Sequence, residues 1–340
     1  MAVPTETILQ LDRDTKTNWS DPDYMNIPYQ ENIQRVLDDP SSLHDQLLAA
    51  GMKIHRRLGS YYVSGEPLTI MDAEWDNLLI LDACRYDMFE SHHSFPGTLK
   101  KVRSAGSQSR EFLEYNFSNK EYHDTVYVTA NPFAATLDDG TFHAVIDLFD
   151  EAWDEELLTV RPESVVDATL QANEEYPNKR IISHFMQPHY PFIGEQGQQI
   201  DTGGVTGNTV RTEGKTRADA TSIWSRLETR DNSLSESAVW DAYVENFKLV
   251  ETHAKTLFKE LDGKSVVTSD HGNLFGKRLW PIPLKKYGHP PGLRFDELVQ
   301  VPWHEPPFDE RRQIESNPPE ESSSVADDVV EERLKNLGYA

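Results

Sequence analysis

The sequence predicts an α/β chain, a mostly parallel central sheet with helices on both faces, from two observations. Short apolar runs recur at residues 76–82 (DNLLILD), 125–129 (TVYVT), 180–185 (RIISHF) and 265–269 (SVVTS). Unbroken apolar runs of this length are how strands buried on both faces read. Helical patterns lie between them, and strands alternating with helices imply right-handed crossovers in one sheet.

Before the first strand, the polar stretch 1–70 is broken by Pro4, Pro22, Pro28, Pro40 and Pro67 and reads as an N-terminal extension. Within it, Leu43, Leu47, Leu48, Met52 and Ile54 fall near helical spacing and predict a helix over 42–58, capped by Ser41 or Ser42. Residues 110–117 read as a helix between the first two strands. Residues 164–175 carry Val165, Val166, Ala168 and Leu170 on one face, and 237–261 carry Val239, Tyr243, Phe247, Val250, Leu257 and Leu261. Residues 194–221, rich in Gly and Thr, cannot bury enough to fold alone and read as a surface insertion in a domain spanning 71–308. Residues 309–340 read as a flexible acidic connector followed by a short helix over 329–337 that ends at Gly338.

Of 340 residues, 57 are acidic and 33 basic, a formal charge of −24. That excess disfavours nucleic acid and anionic membrane, both of which need a basic footprint. The carboxylates are spread rather than gathered, which fits a surface kept hydrated in high salt and a halophilic source. The one cysteine, Cys84, excludes a disulfide framework and reads as a packing residue. The first residues show no apolar run behind a basic stretch, and no run of about 18 apolar residues occurs anywhere. The expectation is a cytoplasmic protein without a membrane span; nothing indicates its oligomeric state.

In open parallel sheets, ligands bind beyond the carboxyl ends of the strands. Asp82 ends the first run, His184 lies in the third, His189 follows in QPHYP, and Asp270 and His271 end the fourth in TSDHGN. His289 follows in YGHPP. Asp82, Asp270 and His271 make a mixed oxygen and nitrogen set suited to one divalent ion, Mn, Zn, Mg or Ca. Gly272 would let the backbone turn so that both preceding side chains face the ion. Taken singly, Asp82 also reads as a helix cap and His271 as a donor to a backbone carbonyl.

LLILDACRYD (78–87), QPHYP (187–191) and TSDHGN (268–273), in that order, resemble the signature segments of sulfatase-like members of the alkaline phosphatase superfamily. ELVQVP (297–302) and RLKNLGY (333–339) resemble late segments of such proteins, haloarchaeal ones especially. The resemblance implies the alkaline phosphatase-like fold and a metal-activated hydroxyl that attacks a phosphate or sulfate ester. By motif position, Asp82, Asp270 and His271 correspond to metal ligands, and His189 and His289 to positions that contact the anion or protonate the leaving group. The family's nucleophile stands at a helix N-terminus. In RSAGSQSREF (103–112), Ser109 is the first choice and Ser107 the second, with Gly106 permitting a tight turn; either serine also reads as a plain N-cap. No Cys/Ser-x-Pro-x-Arg string occurs, which favours phosphoryl over sulfuryl chemistry, and no second-metal set is evident.

Arg85 and Asp87 read as a salt bridge bracing the first strand–helix turn, His92 and His93 as exposed, and Trp280, Trp303 and Tyr287 as core. Lys277 and Arg278 read equally as anion contacts and as a solvated loop. The leading expectation is a metal-dependent hydrolase of a small anionic ester, possibly glycan-linked. The alternatives are transfer of a phosphorylated head group onto a glycan, and a non-catalytic anion- or glycan-binding homologue.

Overall fold

The structure, a computed structural model, describes residues 41–63, 65–200, 223–228 and 234–320. The expectations for residues 1–40, for most of the 194–221 insertion and for the 329–337 helix lie outside the described residues. The chain divides into two compact units, Met1–Ile54 and His55–Ala340. The sheet and the candidate site belong to the second unit. Helix α1, Ser41–Tyr62, runs across the boundary and is longer than the predicted 42–58.

Eleven strands are found among the described residues: β1 Asn77–Asp82, β2 Thr98–Arg103, β3 Tyr122–Thr129, β4 Phe142–Asp147, β5 Trp153–Asp154, β6 Thr159–Val160, β7 Arg180–Pro188, β8 Ser265–Thr268, β9 Leu274–Arg278, β10 Lys285–Gly288 and β11 Gln300–Glu305. Seven of them form one sheet in the order β2-β11-β8-β1-β7-β3-β4. All of its strands run parallel except β11, which lies antiparallel to β2 and β8. The mostly parallel sheet follows from the apolar runs. Leu78 and Ile80 of β1 face one core with Trp75, Phe112, Phe117 and Tyr127, while Leu79 and Leu81 face the other with Phe185, Tyr243 and Phe247. Successive strand side chains alternate between faces, so a strand covered on both sides must be apolar throughout. Burying each such Leu or Ile contributes about 1.5–3 kcal/mol.

Helix α2, Tyr86–His92, follows β1; α3, Ser109–Phe117, follows β2; α4, Pro162–Glu175, and α5, Glu236–Glu260, cover the face opposite α3. Pro162 occupies the first turn of α4, where its missing N–H costs nothing. The Ser235 hydroxyl caps α5 by accepting from Ala238 N.

Several expectations are revised. Strands β2, β4 and β11 were not legible: β2 (TLKKVR) is an edge strand with half its side chains exposed, and its polar pattern carries no burial signal. Trp303 and Tyr287 are buried, but Trp280 is 75% exposed, in the loop joining β9 to β10. His92 and His93 are both half-buried rather than exposed, and His93 stacks on Phe89 with ring centroids 4.8 Å apart. The expected flexible connector is, over 309–320, bonded to the body. Glu315 N donates to Asn178 O at 2.8 Å, and the Arg312 guanidinium to Lys179 O at 2.8 Å and Asn173 Oδ1 at 2.7 Å.

Candidate metal centre and nucleophile

Adjacent strands β8, β1 and β7 end on the same side of the sheet, so the residues that follow them converge. Asp82 is the last residue of β1, and Asp270 and His271 lie two and three residues past the end of β8. One ligand atom from each lies within 4.8 Å of the others, the one such group of three among the described residues, and all three side chains are buried. His271 Nε2 is 3.4 Å from Asp82 Oδ1 and 3.6 Å from Asp270 Oδ2.

The backbone between β1 and α2 is shaped to hold this arrangement. Ala83 adopts φ 57°, the left-handed region that a side chain disfavours by about 1–2 kcal/mol. In return its N–H donates to Asp270 Oδ1 at 3.1 Å, and the Tyr243 hydroxyl donates to its carbonyl. The Ser269 hydroxyl donates to His271 O at 2.6 Å while accepting from Cys84 N at 2.9 Å. Gly272 serves a purpose other than a sharp turn, since its φ is not left-handed. A Cβ there would stand 2.1 Å from Glu297 O, so glycine provides room for a close crossing. Gly106 acts likewise: an added Cβ would meet Gln108 O and Phe112 N at 2.6 Å.

The donor set fits a divalent cation. Asp82 Oδ1, Asp270 Oδ2 and His184 Nε2 are buried without a hydrogen-bond partner, although such groups are almost always paired. His271 Nδ1 donates to Gly272 O at 2.7 Å, which leaves the Nε2 lone pair facing the two carboxylates. Burial and the facing Asp270 push the Asp82 carboxyl well above its ordinary range. Burial acts on Asp270 as well, but His271 and His184 outweigh it and hold that carboxyl low. A bound cation would relieve both the repulsion and the desolvation.

Ser109 is the first residue of α3, and Gln108 is its N-cap, so the hydroxyl is not used as a cap. Ser109 Oγ lies 3.4 Å from Asp82 Oδ2 and 3.4 Å from His271 Nε2. The free N–H groups of a helix start favour an anion beside it. Ser107, the other serine considered, faces away: its Oγ is 3.1 Å from Glu111 Oε2 and 3.1 Å from Pro290 O. His189 and His289 meet each other, Nε2 to Nε2 at 2.9 Å, and the His289 ring lies 4.7 Å from that of His271. Burial, with His271 and His189 close by, lowers the His289 pKa well below its ordinary value.

Asn131 and Asn246 were missed, and His184 was noted without a role. Asn131 Nδ2 donates to Asp82 Oδ2 at 2.8 Å, and its place just past β3 is the signal that could have found it. His184 Nδ1 is 2.7 Å from the Tyr127 hydroxyl, and its Nε2 is 3.8 Å from Asp270 Oδ2; burial lowers its pKa to about 4, so the ring is neutral. Asn246 Nδ2 reaches the carbonyls of Pro188, His189 and Pro191 and has no sequence signal, lying mid-helix in α5. Arg85 and Asp87 pair through two hydrogen bonds, Nε to Oδ1 at 2.8 Å and Nη2 to Oδ2 at 2.5 Å. Lys277 is exposed and pairs with Glu297, and Cys84 is buried.

No protein-family model and no curated protein matches the sequence. Among solved structures the chain is similar to the integral membrane lipooligosaccharide phosphoethanolamine transferase EptA of Neisseria meningitidis, with TM-score 0.44, 12% identity, 81% of this chain and 58% of that one. It is also similar to the soluble domain of the same protein, with TM-score 0.41, 13% identity, 68% of this chain and 75% of that one. A third is the C-terminal periplasmic domain of EptC from Escherichia coli in complex with Zn, with TM-score 0.39, 12% identity, 71% of this chain and 77% of that one. A likeness this distant assigns no role to any residue. The chain spans less than two thirds of the integral membrane EptA structure.

The expectation of a cytoplasmic protein is corrected against these findings, since the similar structures are an integral membrane protein and periplasmic domains. That expectation rested on the lack of an apolar run, which a domain on either side of a membrane shares. Among the described residues no helix is long and apolar enough to cross a membrane.

Proposed function

We propose that this chain is a metal-dependent enzyme that cleaves a phosphate ester through Ser109 and passes the phosphorus-centred group to an alcohol. The observation that carries this reading is the Ser109 hydroxyl at 3.4 Å from both Asp82 and His271, at the start of a helix. A divalent ion held by Asp82, Asp270 and His271 would supply charge neutralisation and favour the ionised serine. Ser109 Oγ forms a bond to phosphorus as the bond to the leaving oxygen breaks. The proton given up by Ser109 reaches that oxygen through the His189–His289 pair, whose His289 ring stands beside His271, so the pair begins and ends neutral. In the second step the oxygen of an alcohol, such as a glycan hydroxyl, displaces Ser109, and the alcohol's proton returns to the serine oxygen by the same route.

Water in the second step would make the enzyme the hydrolase first expected. Passage of the group to an alcohol is chemistry of the same kind as phosphoethanolamine transfer, for which the similar EptA is named. The dispersed acidity further supports a high-salt setting.

Incubation with p-nitrophenyl phosphorylcholine and Mn²⁺ or Zn²⁺, with glycerol as acceptor, tests this reading. Release of p-nitrophenol is expected with a glycerol ester as main product, together with a modified Ser109 in the intact-protein mass spectrum. Ser109→Ala should lower kcat by about 10³-fold or more while retaining the fold. Full activity in that variant, or an adduct on Ser107, would overturn the assignment.

A further inference from the structure

Glu111 lies two residues after Ser109 in α3, and its carboxylate joins two loops far apart in sequence. Oε2 accepts from Ser107 N at 2.9 Å and from the Arg294 guanidinium at 2.8 Å, and the Ser107 hydroxyl stands 3.1 Å away. Oε1 accepts from Gly292 N at 2.6 Å. The Ser107 hydroxyl also lies 3.1 Å from Pro290 O, so its one proton is shared between two acceptors on this seam.

A carboxylate at the third position of a helix ordinarily turns back to the N-cap amide and stops there. This one reaches past Gln108 to Ser107 on one side and across to Gly292 and Arg294 on the other. A local cap would need neither of the latter contacts. Burial would raise its pKa, but Arg294 and the amides of Ser107 and Gly292 hold it below its ordinary value, so the group is ionised at neutral pH.

We propose that Glu111 is a positioning residue that locks the loop carrying His289 to the helix turn carrying Ser109. The proposal rests on the phosphate-ester reading above for its catalytic consequence, but the lock itself does not. Glu111 touches no reacting group. It sets the distance between the nucleophile and the imidazole pair, where a misplacement of about 1 Å costs on the order of 10²-fold in rate.

Two measurements on the full chain test it, using Glu111→Gln and Glu111→Ala. By hydrogen–deuterium exchange, residues 104–108 and 289–294 should gain exchange together, about tenfold or more, while β1 and α5 stay protected. A gain in one loop alone, or in neither, overturns the lock. Where Glu111→Ala does not fold, Glu111→Gln, which keeps the shape but loses the charge facing Arg294, decides. In kinetics with the metal-loaded protein, phenyl phosphorylcholine needs leaving-group protonation more than p-nitrophenyl phosphorylcholine does. Glu111→Gln should therefore lose about tenfold more kcat on the phenyl ester, with KM and metal content unchanged. Equal losses on the two esters would overturn the catalytic consequence. A wild type that turns over neither ester would sink the enzymatic reading, and the exchange measurement would still settle the lock.

Discussion

Asp82 shows how one carboxylate is held for work. Its Oδ2 accepts from Asn131 Nδ2 at 2.8 Å, while Oδ1 is left facing His271 Nε2 at 3.4 Å. The amide thus directs one oxygen and leaves the other turned toward His271. Asn131→Leu removes that hydrogen bond without adding charge, and divalent-ion affinity should fall about 10–100-fold, read by calorimetric titration with Mn²⁺. An unchanged affinity would mean that Asp82 is oriented by its strand alone. Asp82, Asp270 and His271 were legible because each stands at the end of a buried apolar run. Asn131 was not, because an asparagine past a strand reads equally as turn chemistry.

At the scale of elements, the start of β1 is tied to the segment that follows β11. Asp76 accepts from Arg311 Nε at 2.8 Å, Lys264 N at 2.7 Å and Arg312 N at 3.2 Å. Burial raises the Asp76 pKa, but these bonds, Arg311 foremost, outweigh it and place the value below that of an ordinary carboxylate. A carboxyl depressed in the folded state contributes stability above its unfolded pKa of about 3.9 and loses it as pH falls through the folded value. Asp76→Asn should therefore be less stable than wild type by about 1–3 kcal/mol at pH 7, with the gap closing below about pH 4. Urea melts across that range check it, and a gap that stays constant would contradict the linkage. No sequence pattern announced this tie. Residues 309–320 carry no periodicity, and Arg311 and Arg312 find partners more than 230 residues away in Asp76 and Asn77.

For the whole molecule, the formal charge of −24 outweighs any single contact in setting the response to salt. Self-repulsion of that size opposes the compact state, and raising ionic strength shortens the Debye length from about 10 Å at 0.1 M to about 3 Å at 1 M. The melting temperature should rise steadily between 0.1 and 2 M KCl. A flat or falling curve would remove the high-salt reading and leave the phosphate-ester reading untouched.

What the sequence by itself determined is the sheet's interior and the chemical types at its strand ends. Period-two burial on both faces forces β1, β3, β7 and β8 to be apolar, and the acids and histidines just beyond them interrupt that pattern visibly. Only the tertiary structure decided which serine faces the cluster and which joins the Glu111 seam. Ser107 and Ser109 are two residues apart at the start of α3, and helix position ranked Ser109 first without showing what either hydroxyl faces. Their surroundings come from Asp82, His271, Pro290 and Glu111, brought together by strand order and a close loop crossing. Contacts between residues far apart in the chain leave no periodic trace in it, whereas burial along a strand does.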